Sequence, residues 1–185
     1  RHRLGWESTP IATLLSEELA ANFSDELPES ARVGPYLGFD ENTVREDLLR
    51  ALSRSGRSWI LVEKLHPSSE RSPADQRVAE NVRLVTVRDI DLVSLLLLSD
   101  KVVGMTSVAL FIASMLGVDC VSYQRGLVWK DLCAASRSGR VARLDRLESL
   151  EAWLRRPASR LETGLGIGEM GTATKSILAL FADDE

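Results

Sequence analysis

"VRLVTVRDIDLVSLLLLSDKVVGMTSVALFIASMLGVDCVSYQ", residues 82–124, decides the fold. Three short apolar runs, 82–87, 101–105 and 119–124, alternate with two longer segments, 91–100 and 107–117. The short runs are rich in valine and have the length of strands. The longer segments are apolar on most sides and read as buried helices, the second closed by Gly117. Strands separated by helices of this length lie parallel, because each crossover is long enough to carry the chain back to the edge it left.

Upstream, "SWILVEKL" (58–65) is too apolar to have a solvated face and belongs inside the sheet. "DENTVREDLLRALSRSG" (40–56) reads as a helix with Asp40 or Asn42 as cap, apolar positions at Val44, Leu48, Leu49 and Leu52, and Gly56 as its stop. "PADQRVAENV" (73–82) predicts a short helix with Pro73 in its first turn, and "ARVGPYLGF" (31–39) a first strand and a glycine-bearing turn. The fold class is therefore α/β: a Rossmann-like parallel sheet with helices on both faces, spanning residues 31–160.

The two ends look less like sheet. "TPIATLLSEELAANF" (9–23) predicts a helix capped by Ser8 or Thr9, with Pro10 just inside, and residues 1–30 read as a linker or the remnant of a missing N-terminal domain. Segments 128–139 and 146–157 are expected to be helical, with Trp153 in the core and Pro157 ending the second. Residues 161–185 are expected to form a loop and a closing helix over 171–185. Within that region "GIGEMG" (166–171) satisfies a dinucleotide-binding pattern. It lacks the preceding strand and the following βαβ unit that the pattern needs, and reads as a connection into the last helix.

Composition bounds the function. Of the 185 residues 44% are apolar, enough to fill one core, and a net charge of −4 argues against a nucleic-acid binder. Cys120 and Cys133 fit neither a disulfide framework nor a metal-ligand spacing and read as reduced thiols of a cytoplasmic protein. No carboxylates cluster at a strand end, so no metal is expected. The chain opens at Arg1 rather than a methionine, as a fragment would, and shows no signal-peptide pattern. Its longest apolar stretch, 102–118, reaches only the lower end of the roughly 17–25 residues of a membrane span. Gly104, Thr106, Ser107 and Ser114 interrupt it, and a buried strand followed by a helix accounts for it, so no transmembrane segment is expected.

In an open parallel sheet ligands bind beyond the carboxyl ends of the strands. His66 stands just past such an end, and Pro67 makes its exit extended and stiff. Lys64, Ser68 and Ser69 are near enough in sequence to join it. An ammonium, an imidazole and two hydroxyls suit anion capture; the plain alternative is a surface loop whose histidine caps a turn. Thr106 and Ser107 occupy a second strand-to-helix junction, where helix amides and two hydroxyls make another anion cradle, or ordinary N-capping.

The order "ILVEKLHP", then residues 82–107, then "ALFIASMLGVDCVSYQRG" resembles the nucleotide-sugar-binding half of GT-B glycosyltransferases. It is similar in particular to bacterial surface-polysaccharide enzymes, the capsule, sialyl- and glycerophosphate transferases with an HP motif and a later SS/ST motif. The likeness covers residues 58–126. It implies a domain that binds a CMP-, CDP- or UDP-linked sugar as substrate, with no separate cofactor, and a glycan acceptor held by a domain not in this chain. It implies that His66, Thr106 and Ser107 contact donor phosphate, with Lys64, Ser68 and Ser69 beside them, and that Arg88, Asp89 and Asp91 lie near the base or ribose. It places the protein in the cytoplasm or at the inner face of the membrane, as part of a glycosyltransferase in polysaccharide biosynthesis. One departure stands out: many GT-B enzymes carry a ribose-binding glutamate in a pattern like "EAxxLG", where this chain reads "IASMLG" and has Ile112. A non-catalytic nucleotide- or sugar-binding module and a relative of UDP-sugar 2-epimerases are the competing expectations.

Overall fold

The structure is a computed structural model that describes residues 9–159. Seven strands form one sheet: β1 (Ile11–Leu15), β2 (Trp59–Lys64), β3 (Ala74–Ala79), β4 (Val82–Val87), β5 (Lys101–Gly104), β6 (Cys120–Tyr123) and β7 (Ala142–Leu144), in the order β3-β4-β2-β1-β5-β6-β7. All neighbours pair in parallel except β3, which runs antiparallel to β4 at one edge. The parallel strands step outward from β1 to β2 to β4, then cross back and step out again through β5, β6 and β7. This is a Rossmann-like α/β fold, as the valine-rich rhythm of 82–124 predicts.

Among the described residues six α-helices flank the sheet: α1 (Leu19–Phe23), α2 (Glu41–Ser53), α3 (Leu92–Leu98), α4 (Ala109–Met115), α5 (Ala134–Arg137) and α6 (Leu147–Arg155). Strand side chains alternate between the two faces. Trp59 and Leu61 of β2 join Val44, Leu48 and Leu52 of α2 and Leu150 and Trp153 of α6 in the larger core. Ile60 and Val62 point the other way and meet Leu95 of α3. Further along that face Leu96, Leu110, Ala113 and Ala135 bring α3, α4 and α5 together. At the start of α2, Asp40 accepts from the amide and hydroxyl of Thr43 at 2.7 and 2.9 Å, the cap that the sequence offers.

Four expectations need correction. Segment 9–23 is not one helix: Ile11–Leu15 is a strand, every residue of it buried, inserted between β2 and β5. A strand covered on both faces shows no polar side, so its sequence carries no alternation to separate it from a buried helix. The domain consequently begins some twenty residues before residue 31, and 9–30 is neither linker nor remnant. Residues 73–82 are not a helix but the edge strand β3 and a turn at Glu80 and Asn81. Asn81 donates to the carbonyls of Leu52, Ser53 and Arg57 at 3.4, 3.2 and 2.9 Å, and Arg83 grips Asp75 across the hairpin at 2.7 and 2.5 Å.

Residues 31–39 form no strand, although Leu37 and Phe39 are buried as plugs under the loop. Gly38 has φ +95°, and a Cβ there would lie 2.4 Å from the carbonyl oxygen of Gly126, so this loop and the one after β6 meet backbone to backbone. Of the predicted helix 128–139 only the single turn α5 forms, with Asp131 accepting from Cys133 N at 2.7 Å and from the Ser136 hydroxyl. The expected closing segment 161–185, with its "GIGEMG", lies outside the described residues. Among the described residues no helix is long and apolar enough to cross a membrane.

At the end of the sheet opposite the carboxyl edge, Lys101 of β5 is fully buried, with Nζ 2.7 Å from Asp119 Oδ2 and 4.3 Å from the centre of the Trp153 ring. Trp153 Nε1 donates to the other oxygen of Asp119 at 2.9 Å, so one carboxylate ties α6 to the sheet. Burial pushes the Lys101 ammonium below its ordinary pKa, and the hydrogen bond to Asp119 opposes that shift. Removing one partner strands the other, so Asp119→Ala is expected to lower the unfolding free energy by about 3–5 kcal/mol in urea titration. The double change Lys101→Met/Asp119→Leu leaves no orphan charge and should recover most of that loss.

Candidate functional site

The strand order reverses between β1 and β5, and the crevice beyond their carboxyl ends is where such sheets bind ligands. The loop after β5 brings Thr106 and Ser107 to this point, at the strand-to-helix junction that the sequence predicts. Its amides converge on a carboxylate that the chain itself provides. Glu17, two residues beyond β1, accepts from the backbone N–H groups of Met105, Thr106 and Ser107 at 3.1, 2.8 and 3.1 Å, and from the Thr106 hydroxyl through its other oxygen. The Ser107 hydroxyl accepts from Ala109 N at 3.2 Å and so caps the turn into α4.

The loop is braced from below. Ser122 donates to the carbonyl of Met105 at 2.6 Å, and fully buried Gln124 donates to Ser122 Oγ at 2.8 Å and to Asp131 at 2.6 Å. The cradle is thus a held geometry. Burial pushes the Glu17 carboxyl above its ordinary pKa, while the four hydrogen bonds pull the other way. Reading 9–23 as a helix hid this residue. The available signal was an acid placed just after a five-residue apolar run, at the exit that a central strand would have.

The second group lies past β2, on the other side of β1, where Ser16 N donates to the Lys64 carbonyl at 3.0 Å. His66 is exposed and starts a turn closed by Ser69 N donating to its carbonyl at 3.0 Å. Its Nδ1 lies 2.5 Å from Ser68 Oγ and accepts from Ser68 N at 3.3 Å. An Nδ1 that accepts an N–H carries no hydrogen, so this network assigns the neutral tautomer's hydrogen to Nε2. Pro67 and Ser68 are exposed beside it.

The cations near His66 hold the loop together. Lys64 Nζ donates to the carbonyls of Arg88 and Leu65 at 3.0 and 3.3 Å, joining the exits of β2 and β4. Arg88 donates to the carbonyl of Ser69 at 2.6 Å and to that of Arg71, so it grips the His66 loop from the neighbouring strand. Arg71, which the sequence did not single out, meets fully buried Glu63 through both terminal guanidinium nitrogens at 2.5 and 2.8 Å. Asp91 caps α3 by accepting from Ser94 N at 2.7 Å, and hydrogen bonds from Ser94 hold its carboxyl below the ordinary range. Asp89 is exposed. Ile112 packs against the apolar cluster under α4.

The expected site residues therefore form two groups on the carboxyl edge of the sheet. His66, Ser68, Ser69, Lys64 and Arg88 cluster at the exits of β2 and β4; Thr106 and Ser107 gather with Glu17 at the exits of β1 and β5. Glu17 also sets a pH dependence. Its folded pKa is raised above its ordinary value of 4.5, so its contribution to stability is full below that pH and is lost as pH rises through the folded value. Glu17→Gln keeps one acceptor oxygen for the three amides, puts an NH2 donor in place of the oxygen that meets the Thr106 hydroxyl, and removes the titration. Thermal melts from pH 4 upward should show the variant gaining on the native chain as pH climbs through that window, and parallel curves would contradict it. Compared with family models, with curated proteins and with solved structures, the chain matches none of them.

Proposed function

We propose that this chain is the nucleotide-sugar donor-binding domain of a GT-B-like glycosyltransferase acting in surface-polysaccharide synthesis. The observation that carries the reading is the pair of hydrogen-bond donor groups flanking β1 at the switch point. His66 is exposed on one side, with its Nδ1 paired to Ser68, and the Thr106 and Ser107 amides already hold a carboxylate on the other. Donors fixed in advance at these positions suit a diphosphate or monophosphate on which negative charge grows as the sugar departs. No catalytic base is assigned, because the acceptor side belongs to a second domain.

On this reading a donor phosphate reaching Thr106 takes the place of the Glu17 carboxylate, so donor and Glu17 compete for the same amides. A second reading, a binding module without transferase chemistry, draws on one observation: α4 presents Ile112 to the core and carries no acid along its length.

Calorimetric titration with CMP, CDP, UDP and UDP-sugars tests the proposal. One nucleotide should bind, and His66→Ala should abolish that binding while leaving the unfolding midpoint in place. Failure of all four to bind overturns donor recognition. Binding of an intact nucleotide sugar with no turnover by the full-length protein favours the module.

A further inference from the structure

We propose that the ion pair between buried Glu63 and exposed Arg71 is a positioning device for His66, one that fixes the pose of the loop carrying the imidazole. The proposal rests on the donor-binding reading for its functional meaning, and on geometry for the rest. Glu63 is fully buried in β2, three residues before His66; Arg71 lies five residues after it. Their two-pronged contact, at 2.5 and 2.8 Å, closes the chain from 63 to 71 into a ring that contains the whole His66 turn.

Planar guanidinium against planar carboxylate fixes direction as well as distance. One leg of the ring is rigid strand, pinned further by Leu65 N donating to the Val87 carbonyl at 2.8 Å. The other leg is irregular: Arg88 grips its carbonyls at Ser69 and Arg71 from beyond β4, and Arg71 fastens it to β2, the strand that leads into His66. Arg45 Nη1 stands 3.5 Å from the same Glu63 oxygen, so the carboxylate keeps a cation beside it even when Arg71 is changed. A turn closed by a single backbone hydrogen bond is stiff within itself. What the ion pair adds is the orientation of that turn over the sheet, and with it the direction of His66 Nε2.

The test uses the full chain, carrying Glu63→Gln with Arg71→Met so that neither member of the pair is left facing a lost partner; Arg45 gives up its looser 3.5 Å contact with Glu63 and keeps its hydrogen bond to Asn42. Three readouts are taken: the urea midpoint, hydrogen exchange of the Ser68 and Ser69 amides with the imidazole nitrogen shifts of His66, and the affinity for CDP. His2→Gln in the background leaves His66 as the single histidine signal. The expected result is an unchanged midpoint, exchange at Ser68 and Ser69 faster by about tenfold or more, shifted ring nitrogens, and CDP binding weaker by about tenfold.

Arg71→Lys, which keeps a charge beside Glu63 but not the fork, should fall between the native chain and the double variant. It carries the same readouts if the double variant does not fold. Unchanged exchange and unchanged ring shifts overturn the proposal, whatever CDP does. A loop that loosens in a protein that never bound CDP leaves the positioning role standing and removes the donor reading instead.

Discussion

Burial of β1 on both faces is the constraint on which the rest depends. Ile11, Ala12, Thr13, Leu14 and Leu15 are all enclosed, with β2 on one side and β5 on the other. The strand's polar groups are met inside: Thr13 Oγ1 lies 2.6 Å from Ser99 Oγ, and Asp100 accepts from Ile11 N at 2.8 Å. Because β1 sits where the strand order reverses, its exit opens into the crevice between the two halves of the sheet. Glu17 is carried there by chain connectivity alone, and its hydrogen bonds to residues 105–107 join the two halves at their seam.

Much of this architecture is legible in the residues, and the illegible parts share a cause. Valine-rich runs flanked by long apolar segments announce β4, β5 and β6, and the spacing of Val44, Leu48 and Leu52 announces α2. The central strand is silent because total burial erases the alternation that marks a half-exposed one. The edge strand β3 is silent for the opposite reason: nearly all of it is exposed, so it carries no apolar stripe either, and tertiary pairing with β4 decides its conformation. Proline at 73 suits the start of a helix and the start of an edge strand equally. His66, Thr106 and Ser107 could be picked out because each follows a recognisable strand. Glu17 would follow only once 11–15 is read as a strand, and the Glu63–Arg71 pair could not be picked out, since its meaning lies in a partner across a loop.

The carboxyl edge also shows how charge is distributed around a candidate anion site. Lys64 and Arg88 direct their donors to backbone carbonyls, and Arg71 directs its donors to a carboxylate. A hydrogen bond from a charged donor to a carbonyl stiffens irregular backbone that has no strand partner of its own. The positive groups therefore serve the shape of the loop, while His66 and Ser68 stand exposed at this exit and pair with each other.

The contact between Gly38 and Gly126 bears on how this surface can diversify. Loops beyond the carboxyl ends of strands are where proteins of this architecture vary to suit new ligands. Here two of those loops, one leading into α2 and one leaving β6, are joined where a backbone carbonyl fills the space a side chain would need, and a further hydrogen bond runs from Val128 N to the Leu37 carbonyl at 3.0 Å. Neither loop can lengthen or change course alone without breaking that seam. Adaptation on this flank is consequently a two-loop event, which confines single-substitution tuning of the rim to the free side of the crevice around His66.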